Sequence, residues 1–379
     1  MKSIKSMMMG GAILFSLSMM FTSCEGALDD ILGEWSRPTP GNNTPSGGDS
    51  DSGGGSSTVV ASSLSITETT LRLDKSTSQT LTLTVTPADA TVTWESKDET
   101  VATVDASGKV TPKKAGKVTI TAKSGDLDDT STIYIYDKIW NINTDGNADV
   151  TAGESWLIEG NGTAVSKGIS IEDGATVTLN DINITQQLSC SGDATIILAD
   201  GSDNKVTGTG NKAGIKLGGT GTTLNINAET AGTGKLTAEG GYNAAGIGTE
   251  LAYGYHVTGG NIIINGGTVN AQGGYGAAGI GTGFSQENSS DQYGNNTCGA
   301  ITIAAGVKSV TATKGYSSPY CIGIGNSYPG SAQTCGVIKF GTVEVYDGAG
   351  NWAALTDGNT YGGLKLAISG DTWTLTPAP

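Results

Sequence analysis

The strongest constraint on this chain is a repeat in its second half. Runs beginning Leu224-Asn225-Ile226-Asn227, Ile262-Ile263-Ile264-Asn265, Ile301-Thr302-Ile303-Ala304 and Ile338-Lys339-Phe340-Gly341 start 38, 39 and 37 residues apart. A second run follows each: Leu236-Thr237-Ala238, Val269-Asn270-Ala271, Val310-Thr311-Ala312 and Val343-Glu344-Val345. A third element recurs as Gly214-Ile215, Gly246-Ile247-Gly248, Gly279-Ile280-Gly281 and Gly323-Ile324-Gly325. Three short strands per unit cannot bury their apolar side chains alone, whereas stacked units can. The pattern predicts an all-β chain whose residues 138–379 form a right-handed single-stranded parallel β-helix (β-solenoid), with coils of about 38 residues from 214 to 348. Ile169-Ser170-Ile171, Val177-Thr178-Leu179, Ile182-Asn183-Ile184 and Thr195-Ile196-Ile197-Leu198 read as tighter coils upstream. Propeller blades need four strands, which these segments do not supply at that period.

Glycine supplies the positive φ that sharp corners need. The chain has 59 glycines in 379 residues but no Gly-X-Y period, which excludes collagen. A net charge of −15, with Arg37 and Arg72 as the two arginines, excludes nucleic acid as the main partner, because phosphate binding needs clustered Lys and Arg. Gly279-Ile280-Gly281-Thr282-Gly283 lacks the Gly-Lys-Ser/Thr ending of a phosphate loop and recurs as part of a repeat, so it reads as packing. No small-molecule cofactor is expected.

Residues 1–23 carry Lys2 and Lys5, then an apolar stretch from Met7 to Phe21, and read as a secretory signal too short to span a membrane. Phe21-Thr22-Ser23-Cys24 resembles the lipobox of bacterial lipoproteins, with Phe where Leu is usual. That resemblance implies a diacylated Cys24 anchored in the outer membrane, and Glu25, Asp29 and Asp30 resemble the export tag of Bacteroides-type surface lipoproteins. Residues 24–58, rich in Pro, Gly, Asn, Ser and Asp, read as a flexible tether.

Between Val59 and Asp137, alternating runs such as Leu64-Ser65-Ile66, Leu81-Thr82-Leu83-Thr84-Val85, Val118-Thr119-Ile120-Thr121-Ala122 and Ile133-Tyr134-Ile135-Tyr136 predict half-buried strands of an Ig-like β-sandwich. Trp94-Glu95-Ser96, Val101-Ala102-Thr103-Val104-Asp105, Gly108-Lys109-Val110-Thr111 and Ala115-Gly116-Lys117-Val118-Thr119-Ile120 resemble the bacterial Ig-like group 2 (BIG2) family. The resemblance implies a non-catalytic spacer or adhesion module, with Trp94 in the core. Most of residues 150–350 resemble the carbohydrate-binding β-helix domains of bacterial surface proteins, which implies polysaccharide binding, sometimes with Ca²⁺. The tract from Gly259 to Gly274 is also similar to adhesin repeats.

The surplus in each long coil bulges out as Thr249–Gly260, Thr282–Gly299 and Asn326–Gly336. These loops carry Tyr253, Tyr255, His256, Phe284, Gln286, Asn288, Asp291, Tyr293, Asn295, Asn296 and Tyr328. Aromatic faces beside amides and carboxylates suit sugars, which present apolar ring faces and polar rims. Covering the core beneath long loops is the other reading of those aromatics. With the single His256, no Ser-His-Asp or Cys-His spacing and no Arg after Arg72, the chain reads as non-catalytic. A β-helix polysaccharide lyase or hydrolase is the first alternative, and a protein-binding surface adhesin the second. Asn141 to Asp149 places oxygen donors as a Ca²⁺ loop does, but Ala152 stands at the twelfth position, so an interdomain turn is expected. Cys298 and Cys335 each occur in Thr-Cys-Gly one repeat apart. Stacked strands lie about 4.8 Å apart, so these cysteines form either a disulfide between coils or two buried thiols. Cys321 aligns with Ala244 and Ala277, and Cys190 has no visible partner.

Overall fold

The computed structural model describes residues 58–287 and 294–379. The expectations for the leader, Cys24 and most of the tether lie outside these residues, as do those for Asn288, Asp291 and Tyr293. The regular structure of the described residues is β throughout, with no helix.

The first part of the chain is an Ig-like sandwich. One sheet orders Thr70–Asp74, Leu127–Tyr136, Gly116–Ser124 and Thr93–Ser96. Gln79–Thr80, Lys109–Pro112 and Ala102–Val104 make a second, and Ser63–Ile66 pairs with Leu83–Thr86. Alternation sends Val118, Ile120 and Ala122 inward to meet Ile133, Ile135, Ile66, Leu73 and Val110. Trp94 packs against this core, and its indole lies where a side chain on Gly108, at φ +79°, would have to sit.

The chain enters the second part without a linker, because the Asp137 amide donates to Ser155 O and the Asp137 carboxylate accepts from Ser155 N–H at 2.8 Å. From Lys138 onward the chain feeds three parallel sheets. The first runs from Lys138–Asn141 through Ala175–Asn180, Thr223–Ala228 and Asn261–Ile264 to Ile338–Phe340. The second runs from Ala148–Val150 to Ile322–Gly323, and the third from Asn183–Ile184 to Ser309–Thr313. Register between successive circuits stacks like on like. Val177, Ile196, Ile226, Ile264, Ile303 and Phe340 form one fully buried column of the first sheet. Each such side chain contributes about 1.5–3 kcal/mol on burial, which opposes the entropy cost of ordering a glycine-rich chain.

The paired residues give circuits of 18, 21 and 19 residues at the start, then 30, then 38, 39 and 37. Two features account for most of the growth to 38 residues. The corner between the third and second sheets widens from Thr185–Gln187 to Gly208–Gly214, and from the fifth second-sheet strand onward an insert precedes the return to the first sheet.

Two expectations are corrected. Val343-Glu344-Val345 does not join the third sheet, because Val343–Tyr346 turns back antiparallel on Ile338–Phe340. The third sheet instead ends on the hairpin Leu364–Ser369 and Thr372–Pro377, with Leu375 opposite Val310. An uncovered parallel edge invites pairing with other chains, and the reversed strands close it. Trp352, at 4.6 Å from Tyr320 and in contact with Tyr346 and Trp373, fills the space beneath. Secondly, Ile322-Gly323, not Gly323-Ile324-Gly325, continues the Gly-Ile-Gly column, since Ile280 pairs with Ile322. Cys321 therefore stands in line with Gly279, two residues beyond Ala277. Ile-Gly occurs twice there, as Ile322-Gly323 and Ile324-Gly325, and the frame that buries Ile322 completely is the one adopted although Cys321 replaces its first glycine. These glycines are packing elements: a Cβ on Gly248, at φ +149°, would overlap the carbonyl oxygen of Gly281.

Candidate functional site

The expected loops are not bare bulges. Ala252–Tyr253 pairs in parallel with Ser285–Gln286, and Ser285 bridges Ser327. Val257–Thr258, Asn296–Cys298 and Gln333–Cys335 form another small parallel sheet. The inserts thus stack on each other as the main circuits do. A buried polar knot fixes each one: the Thr249 hydroxyl bonds to Asn296 Oδ1 and accepts from Gly283 N–H at 3.0 Å, while Asn296 Nδ2 donates to Glu250 O at 2.9 Å. One circuit later Thr282 and Gln333 repeat the arrangement, so Asn296 is an anchor of the fold and not a free contact for a ligand.

Register brings Tyr253, Gln286 and Tyr328 onto successive rows of one small sheet, with Tyr328 N–H donating to Ser285 O. Tyr253 is 42% exposed, Tyr255 56% and Tyr328 49%, so these three do not serve chiefly to cover the core. Tyr255 Oη donates to Leu251 O at 3.2 Å, and His256 is exposed beside it. Asn295 lies half-buried in the row next to His256, with its Oδ1 accepting from Ala332 N–H. Phe284 is the exception among the aromatics: half-buried, it presses against Gly276.

The most regular aromatic array lies elsewhere, on the corner between the third and second sheets. Tyr242, Tyr275 and Tyr316 occupy this corner in three successive circuits, with ring centroids 5.6 and 5.9 Å apart and near-parallel planes. They are 64%, 45% and 83% exposed, so the ladder contributes little to the core. Glycine makes it possible: each ring follows Gly241, Gly274 or Gly315, and a Cβ on Gly274 or Gly315 would overlap the carbonyl oxygen of Gly241 or Gly274 in the circuit before. The inserts bond to this same corner, through Leu251 N–H to Asn211 O, Phe284 N–H to Asn243 O and Asn326 N–H to Gly276 O. Ladder and inserts therefore form one continuous edge. The signal in the sequence was Gly-Gly-Tyr at 240–242 and 273–275, followed by Gly315-Tyr316.

Toward the start of the stack the same edge carries a depression of about 450 Å³ lined by Ser166, Thr185, Gln186, Gln187, Thr209 and Lys212. Behind it the Glu250 carboxylate accepts from Gln187 Nε2 at 2.7 Å and pairs with Lys212 and Lys216 at 3.2 Å each. Burial pushes the Glu250 carboxyl up, but the Gln187 amide and the two ammonium groups outweigh this and hold it below the ordinary carboxylate value.

A larger cleft, about 700 Å³, separates sandwich and stack, with Lys117, Tyr134, Tyr136, Thr178, Asn227, Glu229 and Thr230 among its walls. Beside this cleft the two parts are clamped together. Arg72 Nη2 donates to Glu229 Oε2 at 2.6 Å, Lys117 Nζ donates to Thr230 Oγ1, and the Tyr134 hydroxyl shares a 2.6 Å bond with the same oxygen. Burial pushes the Tyr136 phenol up to about 12, so it stays protonated at neutral pH.

The Asn141 to Asp149 turn uses its oxygens on backbone amides, Asp145 accepting from Asn141 N–H and Asn141 Oδ1 from Asn143 N–H within the turn, and Asn143 Oδ1 and Asn147 Oδ1 from Asn161 N–H and Gly168 N–H beyond it. Cys298 and Cys335 pair in register on adjacent strands as buried free thiols, and Cys190 and Cys321 are likewise free and buried. Each thiol at Cys190 and Cys321 is raised by burial, to about 12 and about 11.

Residues 60–133 match the family model for a bacterial Ig-like domain (group 2), a span that covers the sandwich alone. No curated protein matches the chain.

Proposed function

We propose, from the premise that residues 60–133 are a bacterial Ig-like domain, that this chain is a non-catalytic surface lipoprotein that binds extracellular polysaccharide or glycan. In this reading Cys24 carries the lipid anchor in the outer membrane, the tether and the sandwich act as spacer, and the three parallel sheets are the wall of a right-handed β-helix whose edge meets the ligand. The observation that carries the proposal is the tyrosine ladder: three exposed rings held one per circuit where the core does not require them. Exposed aromatics on a rigid scaffold, beside amides and hydroxyls, match the mixed apolar and polar surface of a sugar.

The test is to incubate the purified chain with plant and host polysaccharides, with and without Ca²⁺, and to score retention and released reducing ends together. Retention without release, lost in Tyr242→Ala/Tyr275→Ala/Tyr316→Ala, is the expected result. Release would identify a lyase or hydrolase, and no retention on any glycan would turn attention to a protein target.

A further inference from the structure

The tyrosine ladder stops one rung short of the circuit before it. Tyr242 N–H donates to Gly210 O just as Tyr275 N–H donates to Tyr242 O, so Gly210 holds the position equivalent to the tyrosines. Gly210 has φ +62°, and a Cβ placed on it would meet no atom within 4 Å. The face of Tyr242 turned away from Tyr275 is therefore uncovered, in keeping with its 64% exposure. Next to this opening the corner narrows from Gly208–Gly214 to Thr185–Gln187, and the step between them is the depression lined by Gln186, Gln187, Thr209 and Lys212.

We propose that this place is a subsite for a neutral pyranose: a sugar ring lies flat on the open face of Tyr242, as the missing rung, and turns its hydroxyl rim toward Gln186, Thr209 and Lys212. The inference rests on the glycan-binding reading above and adds the position and class of one bound residue. The C–H face of a pyranose suits an aromatic ring, and the amide of Gln186 and hydroxyl of Thr209 can each donate to and accept from sugar hydroxyls. The class follows from charge. Lys212 and Lys216 share the single Glu250 carboxylate, which leaves one net positive charge there, too little to hold the repeated carboxylates of a polyuronate that a chain of net charge −15 repels. A ring flat on Tyr242 directs its glycosidic bonds sideways, so the bound chain crosses the corner rather than following the stack.

The experiment is calorimetry of the purified full chain with neutral oligosaccharides of gluco, xylo, manno and galacto configuration and with oligogalacturonates. The same titrations are run on Tyr242→Ala, Gly210→Asn and Lys109→Ala. Asn tolerates a positive φ, so Gly210→Asn puts a side chain into the slot while leaving every tyrosine in place. At least one neutral ligand is expected to bind, weakened about tenfold or more by Tyr242→Ala and by Gly210→Asn and unchanged by Lys109→Ala, an exposed position on the sandwich. Thermal unfolding of each variant separates loss of the subsite from loss of the fold. If neutral ligands bind Tyr242→Ala and Gly210→Asn as tightly as the native chain, or if only the uronates bind, the subsite is wrong while glycan binding stands. If no glycan binds at all, the parent reading and this inference fall together.

Discussion

Replacing Arg72 by Ala should loosen the sandwich from the stack. The guanidinium lies 2.6 Å from Glu229 Oε2, the glutamate side chain is 4% exposed and the arginine 24%. Asp200 N–H also donates to that oxygen at 3.0 Å, while Glu229 Oε1 has no hydrogen-bond partner. Without Arg72 the carboxylate would remain enclosed with one amide for company. Removing one partner of a fully buried pair costs about 3–5 kcal/mol; because water reaches the arginine side, we expect about 2–3 kcal/mol here. The loss falls on docking, because the neighbouring Thr230 holds the bonds from Lys117 and Tyr134, and the amides of Thr230 and Ala231 are held by Asp200. Hydrogen exchange should therefore accelerate at Thr230 and Ala231, and urea unfolding should lose cooperativity between the two parts. Adding Glu229→Gln to Arg72→Ala removes the stranded charge and should recover about half of the loss. The reasoning is refuted if Arg72→Ala costs less than about 0.5 kcal/mol with unchanged exchange, or if the double variant is weaker than the single one.

Other consequences can be checked on the same protein. Gly274→Ala drives a Cβ into the carbonyl oxygens of Gly241 and Tyr242 and should cost about 2–4 kcal/mol by thermal or urea unfolding. Gly210→Ala, in open space, should show only the positive-φ penalty of about 1–2 kcal/mol, and equal losses at the two sites would contradict the packing argument. Glu250 has its carboxyl lowered in the fold, so its contribution is complete above the ordinary carboxylate pKa of about 4.3 and fades as pH falls through the lowered folded value. The stability gap between native chain and Glu250→Gln should thus be flat at pH 5–7 and shrink toward about pH 3; a gap growing with acid would reverse the assignment. Cys190, Cys298, Cys321 and Cys335 are buried free thiols, three of them with raised pKa, and should resist a thiol reagent until the fold is denatured. Two of these four thiols failing to react in denaturant without reductant would establish a disulfide instead.

How much of this was legible in the sequence depends on what each feature needs in order to exist. The column through Leu224, Ile262, Ile301 and Ile338 could be counted, because buried aliphatic side chains at one spacing are themselves the interaction that holds the circuits in register. The end of the stack could not. Val343-Glu344-Val345 has the same local pattern as Val310-Thr311-Ala312, and only the lack of a further circuit makes reversal the better way to cover the edge. The inserts read as loops since their strands are two or three residues long and are stabilised by neighbours about 40 residues away. The Thr249–Asn296 knot returns as Thr282–Gln333 with a different amide, which hides it from a repeat search.

The ladder was obscured in another way. Tyr242 and Tyr275 are 33 residues apart but Tyr275 and Tyr316 are 41, because the insert between the latter pair is longer, so a fixed period separates residues that the fold superposes. The spacing between aromatics on an edge reports the length of whatever is inserted between them, whereas the glycine before each reports the close backbone approach that puts the rings in line. The Gly-Tyr pair is therefore the mark to follow, and its absence at Thr209-Gly210 is what leaves the last ring with a bare face. A deletion that shortens an insert while preserving Gly241, Gly274 and Gly315 should leave the ladder standing; loss of any one of those glycines should break it.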